Sequence, residues 1–187
     1  MLYFTRELWL SAQEAGQLEQ YEQNWQQAND KYQTQLKALK PRLNPDAHSF
    51  FVEADVHDGE LLEIVVEDGS RSAPLSEPVR AWKATRQYPI KAKLTVLEAN
   101  DRLVWKLSYE SLRRIVVEFP TGDPLFYSEG EGFGDWGYHE LTDAGNGFLR
   151  HEILFATGAV LLFEFKDITI TYVPRSVPGD EEAVPKR

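Results

Sequence analysis

Between Thr5 and Leu39 the apolar side chains recur every three or four positions, at Leu8, Ala12, Ala15, Leu18, Tyr21, Trp25, Ala28, Tyr32, Leu36 and Leu39. That spacing predicts a helix with one apolar stripe. Thr5 suits an N-cap and Glu7 the first turn, where the helix dipole favours a carboxylate. Pro41 and Pro45 read as the stop. Gly16 and the pair Asn29-Asp30 are places where the helix divides in two. After the linker "KPRLNPDAHS" the period changes to two. In "IKAKLTV" the residues Ile90, Ala92, Leu94 and Val96 share one face, and in "RLVWKLSY" Leu103, Trp105, Leu107 and Tyr109 do the same. Asn100-Asp101 between these runs reads as a hairpin turn. Further strands are expected at Phe50 to Val56, Glu60 to Val66, Arg113 to Phe119, Trp136 to Leu141, Phe148 to Phe155, Val160 to Phe165 and Ile168 to Tyr172. Short connections between successive strands demand antiparallel pairing.

The expected architecture is α+β: a long N-terminal helix, or two, against a mostly antiparallel sheet of seven to nine strands. One domain covers residues 1–173, helical over 5–40 and mainly β over 48–173. The segment 67–89 reads as a Pro- and Ser-punctuated connection with a short helix around Val79 to Thr85. The tail 174–187 holds three prolines and little apolar surface, so disorder is expected there.

Composition narrows the function classes. The chain has 187 residues, 42% of them hydrophobic, with five tryptophans and ten phenylalanines, enough for a substantial core. Without cysteine there are no disulfides, thiolate nucleophiles or Cys-type zinc sites. No apolar run approaches the roughly 20 residues of a membrane helix, and "MLYFTRELWL" lacks the layout of a secretory signal. A cytoplasmic location with no membrane partner is the expectation. A net charge of -10 opposes nucleic acid and leaves a basic protein as a possible partner.

Three stretches carry candidate chemistry. In "YHELTDAGNGFLRHEILF" the outcome turns on register. If the five residues "DAGNG" form the loop, His139 faces His151 and the two imidazoles could share a metal. If Asn146-Gly147 are the central residues of a type I′ turn, Gly145 faces Phe148 and the histidines point to opposite faces, with His151 near Glu140. The hydrophobic pattern favours the second. In "FVEADVHDG", alternation sets Glu53, Asp55 and His57 on an outer face with Asp58 following, chemically suitable for a divalent metal. Same-face neighbours on a strand lie about 6.6–6.8 Å apart, however, too far to meet at one ion unaided. In "SEGEGFGDWG" the carboxylates Glu129, Glu131 and Asp135 exclude a phosphate loop, and Phe133 and Trp136 are candidates for contact with a partner. There is no "GxSxG" and no other nucleophile motif.

The start "MLYFTRELW" and the run "DWGYHELTDAGNGFLRHEILFATGAVLLFEFKDITI", with "VHDGELLEI", resemble a bacterial family of uncharacterised proteins, a domain of unknown function. The matching positions are Tyr3, Phe4, Thr5, Glu7, Leu8, His57, Asp58, Trp136, Gly137, Tyr138, Glu140, His151, Glu152, Ile153, Phe155 and Gly158. The resemblance spans residue 1 to about 173; residues 67–89 diverge, and Gly59 stands where a bulkier residue is expected. It implies a bacterial source and a shared fold, and no activity or cofactor. The functional expectation is a non-enzymatic protein-binding module, of the inhibitor or immunity type, for a basic partner. The alternative is a metal-dependent hydrolase or small-molecule binder using His57 and Asp58, or His139 and His151.

Overall fold

The computed structural model describes residues 1–12, 18–69, 88, 90–100, 102–120 and 132–175. The short helix expected around Val79 to Thr85, Gly16, Asp101, Glu129, Glu131 and the tail beyond Arg175 lie outside these residues. The described elements are α1 (Arg6–Ser11), α2 (Leu18–Leu39), a 3₁₀ turn (Lys40–Arg42), α3 (Pro45–Glu53) and eight strands. The strands are β1 (Gly59–Asp68), β2 (Ile90–Leu97), β3 (Leu103–Glu110), β4 (Arg114–Glu118), β5 (Asp135–Gly145), β6 (Phe148–Phe155), β7 (Val160–Phe165) and β8 (Asp167–Pro174). The fold is α+β, and every strand pair is antiparallel.

The N-terminal stripe is divided between two helices. Thr5 caps α1, its Oγ1 accepting from Leu8 N at 3.2 Å, and α1 buries Trp9. In α2 the residues Tyr32, Leu36 and Leu39 are buried, while Tyr21, Trp25 and Ala28 are half-buried and Leu18 is exposed. The helix therefore closes on the core at its C-terminal half and overhangs at its start. It runs unbroken through Asn29-Asp30, where Gln26 Nε2 donates to Asp30 Oδ1 and Thr34 Oγ1 to the Asp30 carbonyl.

Phe50 to Val56 is not a strand. Asn44 Oδ1 accepts from Ala47 N at 2.8 Å, and Pro45 takes the first helical position, where its missing N–H costs nothing. The proline expected to end a helix begins one. Ala47, Phe50 and Phe51 then form a helical face that is buried, while Val52 is 43% exposed. The alternation Phe50-Val52-Ala54-Val56 was a coincidence of two periods. Asn44 also ties α3 to the sheet, its Nδ2 donating to the Ile168 carbonyl at 2.8 Å.

The sheet order is β4-β7-β6-β5-β1-β2-β3-β8. At the middle, β1 and β5 share only the pairs Gly59–Trp136 and Glu60–Asp135. Gly59 fits because a side chain there would strike the Leu97 and Val56 carbonyls, which accounts for the absence of the bulkier residue. Beyond Gly137 the free edge of β5 is covered by α2, and Leu141 N donates to the Tyr32 hydroxyl at 3.2 Å. Five strand positions separate β3 from β7, about 24 Å in a flat sheet. Yet Tyr109 of β3 stacks on Phe163 of β7 with centroids 4.6 Å apart, so the sheet curls until its inner face meets itself. α3 plugs the opening: Phe50 packs on Trp105, and Phe51 on His151, at 5.1 and 5.0 Å.

Candidate functional site

The geometry of the site is set by two irregularities in the β5–β6 hairpin. Asn146 and Gly147 have φ of 55° and 79°, a type I′ turn, and Gly145 faces Phe148 as the pattern favoured. A bulge between Asp143 and Gly145 then adds one residue to β5, so Leu141 faces His151 and His139 faces Ile153. The extra residue reverses the parity of everything before it. His139 and His151 lie on the same, inner face, and Glu140, opposite Glu152, lies on the outer one; the expectation of opposed histidines with His151 near Glu140 is corrected. A second bulge at Gly137 separates Trp136, which faces inward, from Tyr138, which faces outward. Gly137 is required there, since a Cβ would strike the Trp9 ring and lie 2.7 Å from the Leu154 carbonyl oxygen.

Three polar groups from β3, β5 and β6 form a chain inside the curl. Tyr109 Oη lies 2.7 Å from His151 Nδ1, and His151 Nε2 lies 3.0 Å from His139 Nδ1. Phe51 stacks on the His139 ring, and Phe50 and Trp136 meet it edge to face. Burial holds the His139 imidazole down to about 4. Burial, reinforced by His139, pushes His151 well below the usual histidine range, and burial raises the Tyr109 phenol. All three groups are neutral near pH 7.

Neutrality lets the proton positions be assigned. The Tyr109 hydroxyl is fully buried and its one acceptor is His151 Nδ1. Tyr109 therefore donates, because the opposite polarity strands a buried O–H at a cost of about 1–3 kcal/mol. His151 then carries its proton on Nε2 and donates to His139 Nδ1, and His139 carries its own on Nε2. Among the described residues the one buried side-chain polar atom lacking a partner is Trp136 Nε1. Among the described residues His139 Nε2 makes no hydrogen bond, and His139 lines a cavity of about 520 Å³.

That cavity lies between the overhanging half of α2, the end of α3 and the start of β5. Trp25 and Tyr21 come from α2, Phe51 from α3 and Tyr138 from β5, with Asp55 and His57 on the segment linking α3 to β1. The Tyr21 and Tyr138 hydroxyls are 3.1 Å apart, and burial together with that neighbour raises the Tyr138 phenol. His57 stacks on Tyr138 and its Nδ1 donates to the Gly137 carbonyl at 2.8 Å, leaving Nε2 3.6 Å from Asp58 Oδ1.

The metal candidates do not gather. Glu53 ends α3 and accepts from Ser49 Oγ at 2.6 Å, Asp55 lines the cavity, and His57 and Asp58 form the turn into β1. Among the described residues no three His, Cys, Asp or Glu side chains are placed to hold an ion. The partner-contact candidates divide too. Asp135 is exposed, but Trp136 is 0% exposed and Phe133 packs between Phe119 and Phe155, at 5.0 and 4.8 Å. Trp136 belongs to the interior, and Phe133 is half-buried against the core. The residues that make the site but were not read as site residues in the sequence are Phe51, Tyr109, which was placed only on a strand face, Trp25, placed only in the helical stripe, and Tyr138, named only as a position of the family resemblance. No local signal marks Tyr109, since only the curl of the sheet brings β3 to His151.

No helix among the described residues is long and apolar enough to cross a membrane. No protein-family model matches the chain, and neither a curated protein nor a solved structure matches it.

Proposed function

We propose that the chain is a binding protein that takes a small organic molecule into the aromatic cavity between α2, α3 and β5. The observation that carries this reading is the open Nε2 of His139. A two-bond chain reaching back to Tyr109 holds that atom at an aromatic-lined cavity. A concave, largely apolar site with a few fixed polar groups is the general form of a small-molecule site. The test is a fragment screen followed by nitrogen-15 NMR of the imidazoles. Hits are expected to move the His139 Nε2 resonance and to vanish in Asn29→Trp, which fills the cavity from a partly exposed position on α2. Hits that leave His139 unmoved would refute the assignment.

A second reading, a module or immunity-type inhibitor that engages a basic protein, rests on a different observation. The outward side of α2 carries Glu19, Glu22 and Asp30 around a shallow, Gln-rich depression, on a chain of net charge -10. Complementary potentials accelerate encounter and make it sensitive to salt. Under this reading a basic partner recovered at low salt is lost in the double variant Glu19→Lys, Glu22→Lys.

A further inference from the structure

The charges around the cavity narrow what it accepts, and this step rests on the small-molecule reading above. No Lys or Arg lines it, and Asp55 is its one lining carboxylate, so an anion would meet no cation there. The neutral His139 adds no positive charge, and the net charge of -10 favours cations at the mouth. The walls include the rings of Trp25 and Tyr21, while the Tyr138 ring is already stacked with Phe4 and His57 and its phenol stays protonated. Aromatic faces attract a desolvated organic cation, Trp most strongly. The polar side chains of Asn29, Gln33 and His57 also line it, and His139 Nε2–H is a donor, which calls for an acceptor on the ligand.

We propose that the cavity binds a small organic ammonium compound bearing an uncharged acceptor oxygen, with the cationic nitrogen against Trp25 and Tyr21 and near Asp55, and the oxygen accepting from His139 Nε2. The juxtaposition that defines the class is one carboxylate and aromatic rings beside the fixed N–H donor of His139. Both ends of the ligand are recognised without any charged residue deep in the protein, so the site discriminates by shape and π attraction.

Choline, its uncharged isostere 3,3-dimethyl-1-butanol, and tetramethylammonium are the probes, titrated by calorimetry and by nitrogen-15 NMR of the full-length protein. Choline is expected to bind saturably, with the isostere weaker by about ten-fold and Trp25→Leu costing choline a similar factor. Tetramethylammonium, which lacks the oxygen, is expected to bind more weakly than choline and to leave the His139 Nε2 resonance unmoved. Asp55→Asn, at an exposed position, is expected to weaken both cations and not the isostere. Equal affinities for choline and the isostere, or choline binding indifferent to Trp25→Leu, would overturn the assignment. If neutral fragments move His139 while neither cation does, the cation class falls and the cavity reading stands. If no probe of either kind moves His139, both fall together.

Discussion

The two faces of the β5–β6 hairpin bury polar groups in opposite ways. On the inner face, His139 and His151 are enclosed by aromatic rings with no countercharge, and they are accommodated by losing their charge. On the outer face, carboxylates are retained and supplied with donors. Glu140 accepts the backbone N–H groups of Leu2, Tyr3 and Phe4, the amino group of Met1 sits 3.0 Å from Glu152 Oε1, and Glu164 receives Arg113 and Arg150 at 2.7 Å each. Burial pushes the Glu164 carboxyl up, but the hydrogen bonds from the two guanidiniums outweigh it and leave it lowered. The lesson is that one pair of strands can hold both kinds of polar interior. The neutral chain ends on a ring N–H of His139 that has no hydrogen-bond partner among the described residues, whereas the outer carboxylates are occupied in holding the N-terminal segment and the neighbouring strands.

The largest effect should come from breaking the outer arrangement at its centre. Glu140→Ala leaves three backbone donors without their acceptor, and a loss of about 3 kcal/mol in urea denaturation is expected; a loss under 1 kcal/mol would show that water replaces the carboxylate freely. Acid separates the faces next. Both imidazoles hold protons more weakly in the folded chain than in the unfolded one, so the unfolded state takes up protons first as pH falls. Their contribution is complete above about pH 6.5 and is lost as pH falls, toward about pH 4 for His139, at about 1.4 kcal/mol per unit of its displacement, and as pH falls through its lowered value for His151. The Glu164 contribution follows the same direction in a lower window, present above 4.5 and lost as pH falls through its lowered value. Melting temperatures from pH 7 to 4 should therefore fall in the parent and in Glu164→Gln alike, and fall less steeply in His139→Gln, where the buried His151 remains.

A smaller effect, of about 1–2 kcal/mol, is expected for Tyr109→Phe, which removes the hydroxyl that donates to His151. Its sharper readout is the nitrogen-15 pattern. With Tyr109 gone the constraint on proton positions is lifted, so His139 Nε2 should lose part of its protonated character; an unchanged pattern would sink the assigned polarity. At the bottom of the scale lies the exposed pair Lys93–Glu67 at 2.8 Å, where solvent screens the attraction. Replacing both residues by Gln should leave the melting temperature unmoved, a control for the buried variants.

The parts of this fold that were legible in the sequence are those governed by local rules. Alternation in "IKAKLTV" and "RLVWKLSY" located β2 and β3, the stripe ending in Tyr32, Leu36 and Leu39 located α2, and Asn146-Gly147 located the turn. α3 was hidden because its helical face and a period-two reading select overlapping residues, and the decisive signal was the cap-and-proline pair Asn44-Pro45. The site was hidden for another reason. A bulge adds one residue, and one residue exchanges the two faces of a strand, so two correctly placed histidines were assigned to opposite sides. Nor does any local pattern record that β3 and β7 meet, since that follows from curvature summed over the whole sheet.

The junction between β1 and β5 carries a mechanical consequence. It divides eight strands into two leaves of four, held at the middle by Gly59–Trp136 and Glu60–Asp135, and the cavity adjoins that junction. In the strand ladder, parting the leaves would sever two residue pairs, along with the inner-face contacts of Tyr109 with His151 and Phe163, whereas parting β5 from β6 would sever the whole ladder from Trp136–Phe155 to Gly145–Phe148. The strand ladder is thinnest at this seam, so the backbone of the scaffold is least cross-linked beside the cavity.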